Sequence, residues 1–337
     1  MKKLLIVILL FGLLISANSF VLAAPEVVIK FGHVSAVDRD TALGVDLFKD
    51  IVESRSDGRI EVQIYPNTQL GSDRDLLEGI RLGTVQMMGA GTSVFSTLTD
   101  NFLVLDLPFL APSREAMYRM FDGEIGQELF SGLSDKGVKA LDYWESGMRQ
   151  LFNNVRTIQS PDDLKGIKLR TMENPVHLAT FRNWTALPTP MAWGEVFPAI
   201  QTGVVDGFES PLSVFYTQGF YDICKYVTVA NQFYLPWLIV AGQKWWDGLD
   251  SEDQNLIQDA SRIAGQWQRA EAARADGEYL KMLQDMDKVA VNILTDEQRA
   301  KFAETSQPVY KQFAEKIGRE RFHKILEELN HKLKDVF

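Results

Sequence analysis

The side chains best suited to chemistry are few and scattered. Four histidines stand at His33, His177, His323 and His331, and no two have the HExxH spacing that sets two imidazoles around zinc. The sequence contains no GxSxG elbow, no GxxxxGK[ST] phosphate loop and no GxGxxG opening a helix. Gly89-Ala90-Gly91-Thr92-Ser93 follows a strand-like run and reads as a tight turn, where small residues let something approach the backbone. The carboxylate pairs Asp162–Asp163 and Asp73–Asp75 fall at helix or turn starts, where negative charge complements exposed N–H groups. Cys224 lies in the mostly apolar run Tyr221–Val227 and reads as a small core residue. No nucleophile stands beside a base, and no cofactor or metal is expected. These residues form no convincing catalytic constellation.

Composition bounds the rest. The 337 residues are 46% hydrophobic and 24% charged, a globular balance long enough for two domains. The formal net charge of −10 argues against nucleic acid, whose phosphates need clustered positive charge. One cysteine excludes an internal disulfide. Lys2 and Lys3, the apolar run Leu4–Ile15 and the small residues ending at Ala23-Ala24 form a secretory signal, with cleavage expected after Ala23. That apolar run is too short for a bilayer span of about 20 residues. No cysteine follows it to take a lipid anchor.

Strand and helix patterns alternate beyond the signal, which predicts α/β layers. Strands are expected over Val27–Val34, Ile60–Tyr65, Val85–Ala90, Lys139–Trp144, Ile167–Thr171, Leu187–Met191 and Val204–Glu209. Asp40–Ser54 carries a helical stripe, and Ser72 and Gly83 bound another helix. No Pro/Gly/Ser-rich tether appears, so the chain is expected to cross between domains several times. From Ser251 to Lys288 apolar residues keep helical spacing without a proline, and Ser251 with Gln254 resembles a capping box. This reads as a strut touching both domains; a break near Gly265 or Gly277 is the alternative.

From residue 147 onward the motifs converge. Gly147-Met148-Arg149-Gln150 precedes Ser160-Pro161-Asp162-Asp163-Leu164-Lys165-Gly166-Ile167-Lys168-Leu169-Arg170. Pro190-Met191-Ala192-Trp193-Gly194-Glu195-Val196-Phe197 and Gln201-Thr202-Gly203-Val204-Val205-Asp206-Gly207-Phe208-Glu209-Ser210-Pro211 follow. Upstream stand Tyr65-Pro66-Asn67-Thr68-Gln69-Leu70-Gly71 and Leu107-Pro108-Phe109. In order and spacing, nearly the whole chain resembles the DctP-type solute-binding proteins of TRAP transporters, the tripartite ATP-independent periplasmic systems.

The resemblance implies a two-lobe periplasmic-binding-protein-like α/β fold, with a hinge cleft and a long domain-spanning helix. On this reading residues 24–146 and 236–275 form lobe I, and 147–235 and 276–337 form lobe II. It implies a periplasmic monomer that hands an organic acid to TRAP membrane permease subunits. The ligand carboxylate would be held by Arg170, whose rigid fork of N–H donors meets a carboxylate through two parallel bonds. Arg149 is expected near the same anion. Trp193 stands where relatives carry a pocket phenylalanine, Ser210 where many carry asparagine, and Gly91 where some carry an acid. Phe208, Glu209, Asn174, Gln232, His33 and Asp73 match family positions around the cleft. The departures at Trp193, Ser210 and Gly91, with Phe208, predict a flatter and less polar pocket. A monocarboxylate with an apolar or aromatic body is the expected ligand; a C4-dicarboxylate or uronate-like sugar acid is the alternative, and an exported enzyme acting on a carboxylate substrate is the alternative of a different class.

Overall fold

Among the described residues, runs rich in β-branched and aromatic residues become nine strands, which suits side chains packed on a pleated surface. They are β1 (Val27–Gly32), β2 (Ile60–Tyr65), β3 (Met87–Gly91), β4 (Val138–Asn153), β5 (Lys168–Thr171), β6 (Leu187–Pro190), β7 (Gly207–Pro211), β8 (Tyr226–Gly242) and β9 (Ala290–Ile293). The computed structural model describes residues 24–332, and the expected signal segment lies outside the described residues. The strands lie in the order β2-β1-β3-β8-β4-β7-β5-β6, with β9 joined to β8. β4 and β8 are long and antiparallel, and they run through both lobes. One end of the pair carries β3 and the other carries β7 and β9.

Alternation along these strands sends residues to opposite faces and builds two cores per lobe. In lobe I, Met88, Leu238 and Val240 join Phe95, Phe102 and Leu129 on one face. Met87, Trp237 and Ile239 join Phe48, Trp144 and Ile257 on the other. In lobe II, Phe152, Phe208 and Val227 oppose the cluster of Leu151, Leu169 and Phe233.

The strut is one unbroken helix, Ser251–Gln284, of 34 residues and about 51 Å at 1.5 Å per residue. Its cap is Asp250, whose side chain accepts from the Asp253 backbone N–H, in place of the expected Ser251–Gln254 box. Gly265 does not break it. A Cβ there would sit 2.5 Å from Trp144 Nε1 and from Asp142 Oδ2, so the glycine lets β4 press against the helix. The first half packs on the helix Asp40–Arg55 and on β4, and Tyr279, Leu280 and Leu283 enter a lobe II core.

The expected lobe boundary does not describe the C-terminal helices. Val309, Phe313, Ile317, Phe322 and Ile325 of the helices Gln307–Ile317 and Arg319–Glu328 bury into the lobe I cluster of Phe102 and Leu129. Lys316–Asp100 and Lys324–Glu128 pairs secure the same contact. The chain therefore returns to lobe I after 306. The strand β8 was not expected as an element. Both of its faces are buried, so it lacks the polar alternation that marks a half-exposed strand.

Candidate functional site

The cleft lies where β3, β5 and β7 end, against the middle of β4. It holds about 930 Å³ of empty space, part of it open to solvent, a size that suits a small ligand. Gly89 and Gly91 shape one wall. A Cβ on Gly89 would fall 2.2 Å from the Trp237 ring, and one on Gly91 would fall 3.0 Å from Leu235. Room made at Gly91 is thus partly filled by Leu235. The apolar lining is Gly91, Leu235, Trp237, Trp193, Val214, Met172 and Met191. Ser35, Ser72, Asp73, Ser93, Ser146 and Arg39 supply polar groups.

Arg170 ends up buried at this cleft because β5 is an interior strand between β6 and β7. Its Nε and Nη2 donate to the Met191 carbonyl at 3.1 and 2.8 Å, which fixes the guanidinium plane. Trp193 covers the group with its ring centroid 5.5 Å from Cζ, a cation–π contact. No carboxylate among the described residues lies within ion-pair distance of it, and Nη1 has no protein acceptor. Burial lowers its pKa to about 10, with Glu209 opposing and Arg149 adding to that fall. A buried guanidinium without its counterion is costly unless something anionic completes it.

Arg149 differs. It is clamped by Glu209, donating from Nε to one carboxylate oxygen and from Nη2 to the other at 2.9 Å, and to the Glu209 carbonyl at 2.6 Å. Burial alone would raise the Glu209 pKa, yet Arg149 and His177 outweigh it and hold the carboxyl at about 2. His177 Nδ1 lies 3.5 Å from Glu209, and Nε2 lies 3.1 Å from Asp106. Asp106 also accepts from Ser93 and from Asn174 Nδ2, the latter at 2.8 Å. A chain of fully buried polar groups thus supports the cleft floor from Ser93 round to Arg149.

Of the expected site residues, Arg170, Arg149, Trp193, Ser210, Gly91 and Asp73 line the cleft together. The others do not. Phe208 precedes Ser210 by two residues on β7, about 7 Å deeper at strand rise, and fills the lobe II core against Phe152 and Phe220. Glu209 points to the opposite face and serves Arg149. Asn174 caps the helix Pro175–Asn183 by accepting from the Val176 N–H at 2.9 Å, and ties it to Asp106. His33 lies beneath Trp237, ring to ring at 6.1 Å, and burial lowers its pKa to about 4. Gln232 is wholly buried, and its amide has no partner among the described residues.

Glu173 and Arg39 are among the cleft residues that escaped the sequence reading. Glu173 meets Arg74 at 3.3 Å, joining lobe II to lobe I at the cleft. Arg39 reaches Ser146 and Ser213 from the start of the helix Asp40–Arg55. A cation just before a helix, where the dipole disfavours it, was the one signal that could have found it.

The sequence profile of the bacterial extracellular solute-binding proteins, family 7 (DctP), matches residues 31–317. The C4-dicarboxylate-binding periplasmic protein DctP of Rhodobacter capsulatus is 34% identical over 316 residues, covering 92% of this chain and 95% of that protein. The galactonate complex of the sugar acid binding protein DctPAm of Advenella mimigardefordensis superposes with a TM-score of 0.88 at 33% identity, covering 91% of this chain and 98% of that one. A TRAP periplasmic solute-binding protein of Sulfurospirillum deleyianum with bound succinate gives a TM-score of 0.86 at 32% identity, covering 90% and 99%. These relatives are solute-binding proteins and not enzymes. No helix among the described residues is long and apolar enough to cross a membrane.

Proposed function

Since the chain belongs to the DctP family, the solute-binding receptors of TRAP transporters, we propose that its cleft captures an organic acid by the carboxylate and delivers it to TRAP permease subunits. The observation that carries this reading is Arg170, a buried cleft guanidinium with its fork fixed and no protein carboxylate beside it. The ligand supplies the missing charge. Each charge-assisted bond so formed contributes about 1.5–3 kcal/mol net. Arg149, already paired, supports the same pocket from β4, on the far side of β7, and offers only its free Nη1.

The receptor works as an exported monomer in the periplasm, led there by the N-terminal 23 residues. Lobe closure turns on β4, β8 and the long helix, which pass through both halves. The apolar lining of Trp193, Trp237 and Leu235 supports a monocarboxylate whose body is apolar or aromatic. The polar lining supports the second reading, an acid with further oxygens, as in the relative named for C4-dicarboxylates and those with bound galactonate and succinate.

A thermal-shift screen of organic acids tests the function directly. A true ligand at 100 times its dissociation constant stabilises the protein by about 2.7 kcal/mol. Arg170→Lys keeps the charge and loses the fork, and calorimetry is expected to show binding weakened about tenfold or more. Unchanged affinity in that variant contradicts the assignment.

A further inference from the structure

The cleft holds a third buried guanidinium, and its surroundings are those of a binding group. Arg39 is 5% exposed, lines the cleft and occupies the cap position of the helix Asp40–Arg55 without a side-chain cap bond. A positive charge at a helix N-terminus opposes the dipole, so packing alone does not favour it there. Its Nη2 donates to the Ser146 carbonyl at 2.5 Å and to Ser146 Oγ at 3.0 Å, and its Nε to Ser213 Oγ at 3.3 Å.

Ser146 sits where β4 slips register against β8, between Glu145 and Gly147. A bulge of this kind leaves one residue out of the ladder and re-aims its groups. Arg39 collects that carbonyl at the crossing between lobes, and Ser213 belongs to the lobe II helix Leu212–Thr217. A lobe I arginine is thereby held rigidly across the hinge.

Its charge is matched only in part, by one shared carboxylate. The nearest carboxylate, Asp40, lies 3.5 Å from Nε and is engaged by Gln268 Nε2 at 2.6 Å. Burial pushes the Asp40 carboxyl up to about 6, with Arg39 and Gln268 pulling it down. Arg39 Nη1 has no acceptor among the described residues, as is true of Nη1 in Arg149 and Arg170. Three cleft arginines thus share one pattern: Nε and Nη2 are anchored to protein, and Nη1 is left over. One carboxylate at Arg170 does not use them all.

We propose that Arg39 is a specificity-determining residue that reads a second oxygen function of the ligand, so that the receptor takes acids with oxygen at both ends. The inference rests on Arg170 holding the first carboxylate. It selects dicarboxylates and polyhydroxy acids over a monocarboxylate of wholly apolar body, whose far end would leave Arg39 Nη1 desolvated and unpaired.

Calorimetry tests this with succinate, malate, erythronate and galactonate set against butyrate, valerate and benzoate. The wild-type protein is expected to bind at least one acid of the first group about tenfold or more tightly than every acid of the second, as loss of a charge-assisted bond predicts. Arg39→Gln and Arg39→Lys should shrink that ratio by about tenfold while leaving the weak monocarboxylate binding in place. A ratio that survives in both variants, or an equal fall for both groups as a merely structural arginine would give, overturns the role of Arg39 and leaves Arg170 standing. If either variant fails to fold by circular dichroism, the wild-type ratio decides, and butyrate, valerate or benzoate binding as tightly as the first group overturns the proposal. A wild-type protein that binds none of the seven acids overturns both readings.

Discussion

Arg149 and Arg170 flank the same strand, β7, and meet opposite conditions. On the β4 side, Glu209 closes on Arg149 with both carboxylate oxygens, and His177 and Asp106 continue the network inward. On the β5 side, Arg170 is equally buried but finds only a carbonyl and an indole face. The two side chains are one residue type at one depth. The difference lies in the counterion, which the fold supplies to one and withholds from the other. A buried cation with its partner is part of the scaffold, and one without it is set up to receive an anion.

The largest effect should come from breaking the completed pair. Glu209→Gln leaves Arg149 buried without compensation and is expected to cost about 3–5 kcal/mol in urea unfolding. Acid titration sharpens the same point. The Glu209 carboxyl is held at about 2, below its ordinary 4.5, so its contribution is full above pH 4.5 and is lost as pH falls toward 2. The acid limb of the stability curve should flatten in Glu209→Gln.

Next comes Asp73, which faces the incomplete side. Burial pushes its carboxyl up to about 7, against the pull of Arg170, and Oδ1 has no partner among the described residues. Because the folded value is raised, apo stability should decline as pH climbs from the ordinary 3.8 through 7 and then level off. An ionised Asp73 also competes with an anionic ligand for Arg170. Affinity should therefore fall above pH 7 by at most about tenfold per pH unit, and Asp73→Asn should abolish that slope. A smaller change is expected from Trp193→Phe, which keeps a ring over Arg170 but weakens the cation–π contact by about 0.5–1 kcal/mol in binding. Smallest is Arg74→Ala. The Arg74–Glu173 pair joins the lobes at a solvated edge, so its loss should cost about 0.2–1 kcal/mol of affinity and vanish in high salt.

The contrast between the two arginines also marks what the sequence can reveal. Arg170, Arg149, Trp193, Ser210, Gly91 and Asp73 fall at strand ends and turns inside recognisable motifs, and the fold brings them to one cleft. Phe208 and Glu209 share a motif with Ser210, yet the pleat and two residues of depth send one to the core and the other to Arg149. Motif membership does not encode depth. Arg39 was illegible for a related reason: its partners, Ser146 and Ser213, are 107 and 174 residues away, and no local pattern announces such a contact. The strands β1 and β2 and the strut helix were readable because local periodicity specifies them. The strand β8 was not, since burial on both faces erases the period on which such reading depends. The return of the C-terminal helices to lobe I is likewise a long-range packing choice, made by Phe313, Phe322 and Ile325.

The central claim is that Arg170 is an incomplete ion pair which the ligand completes. Melting curves of Arg170→Met and of the wild-type protein, each with and without a bound acid, test it most directly. Removing an unpaired buried charge should leave the apo melting temperature equal or higher, and should abolish the rise that any acid produces. A variant that melts lower when empty and is still stabilised by the acid would contradict the account, because Arg170 would then be scaffold like Arg149.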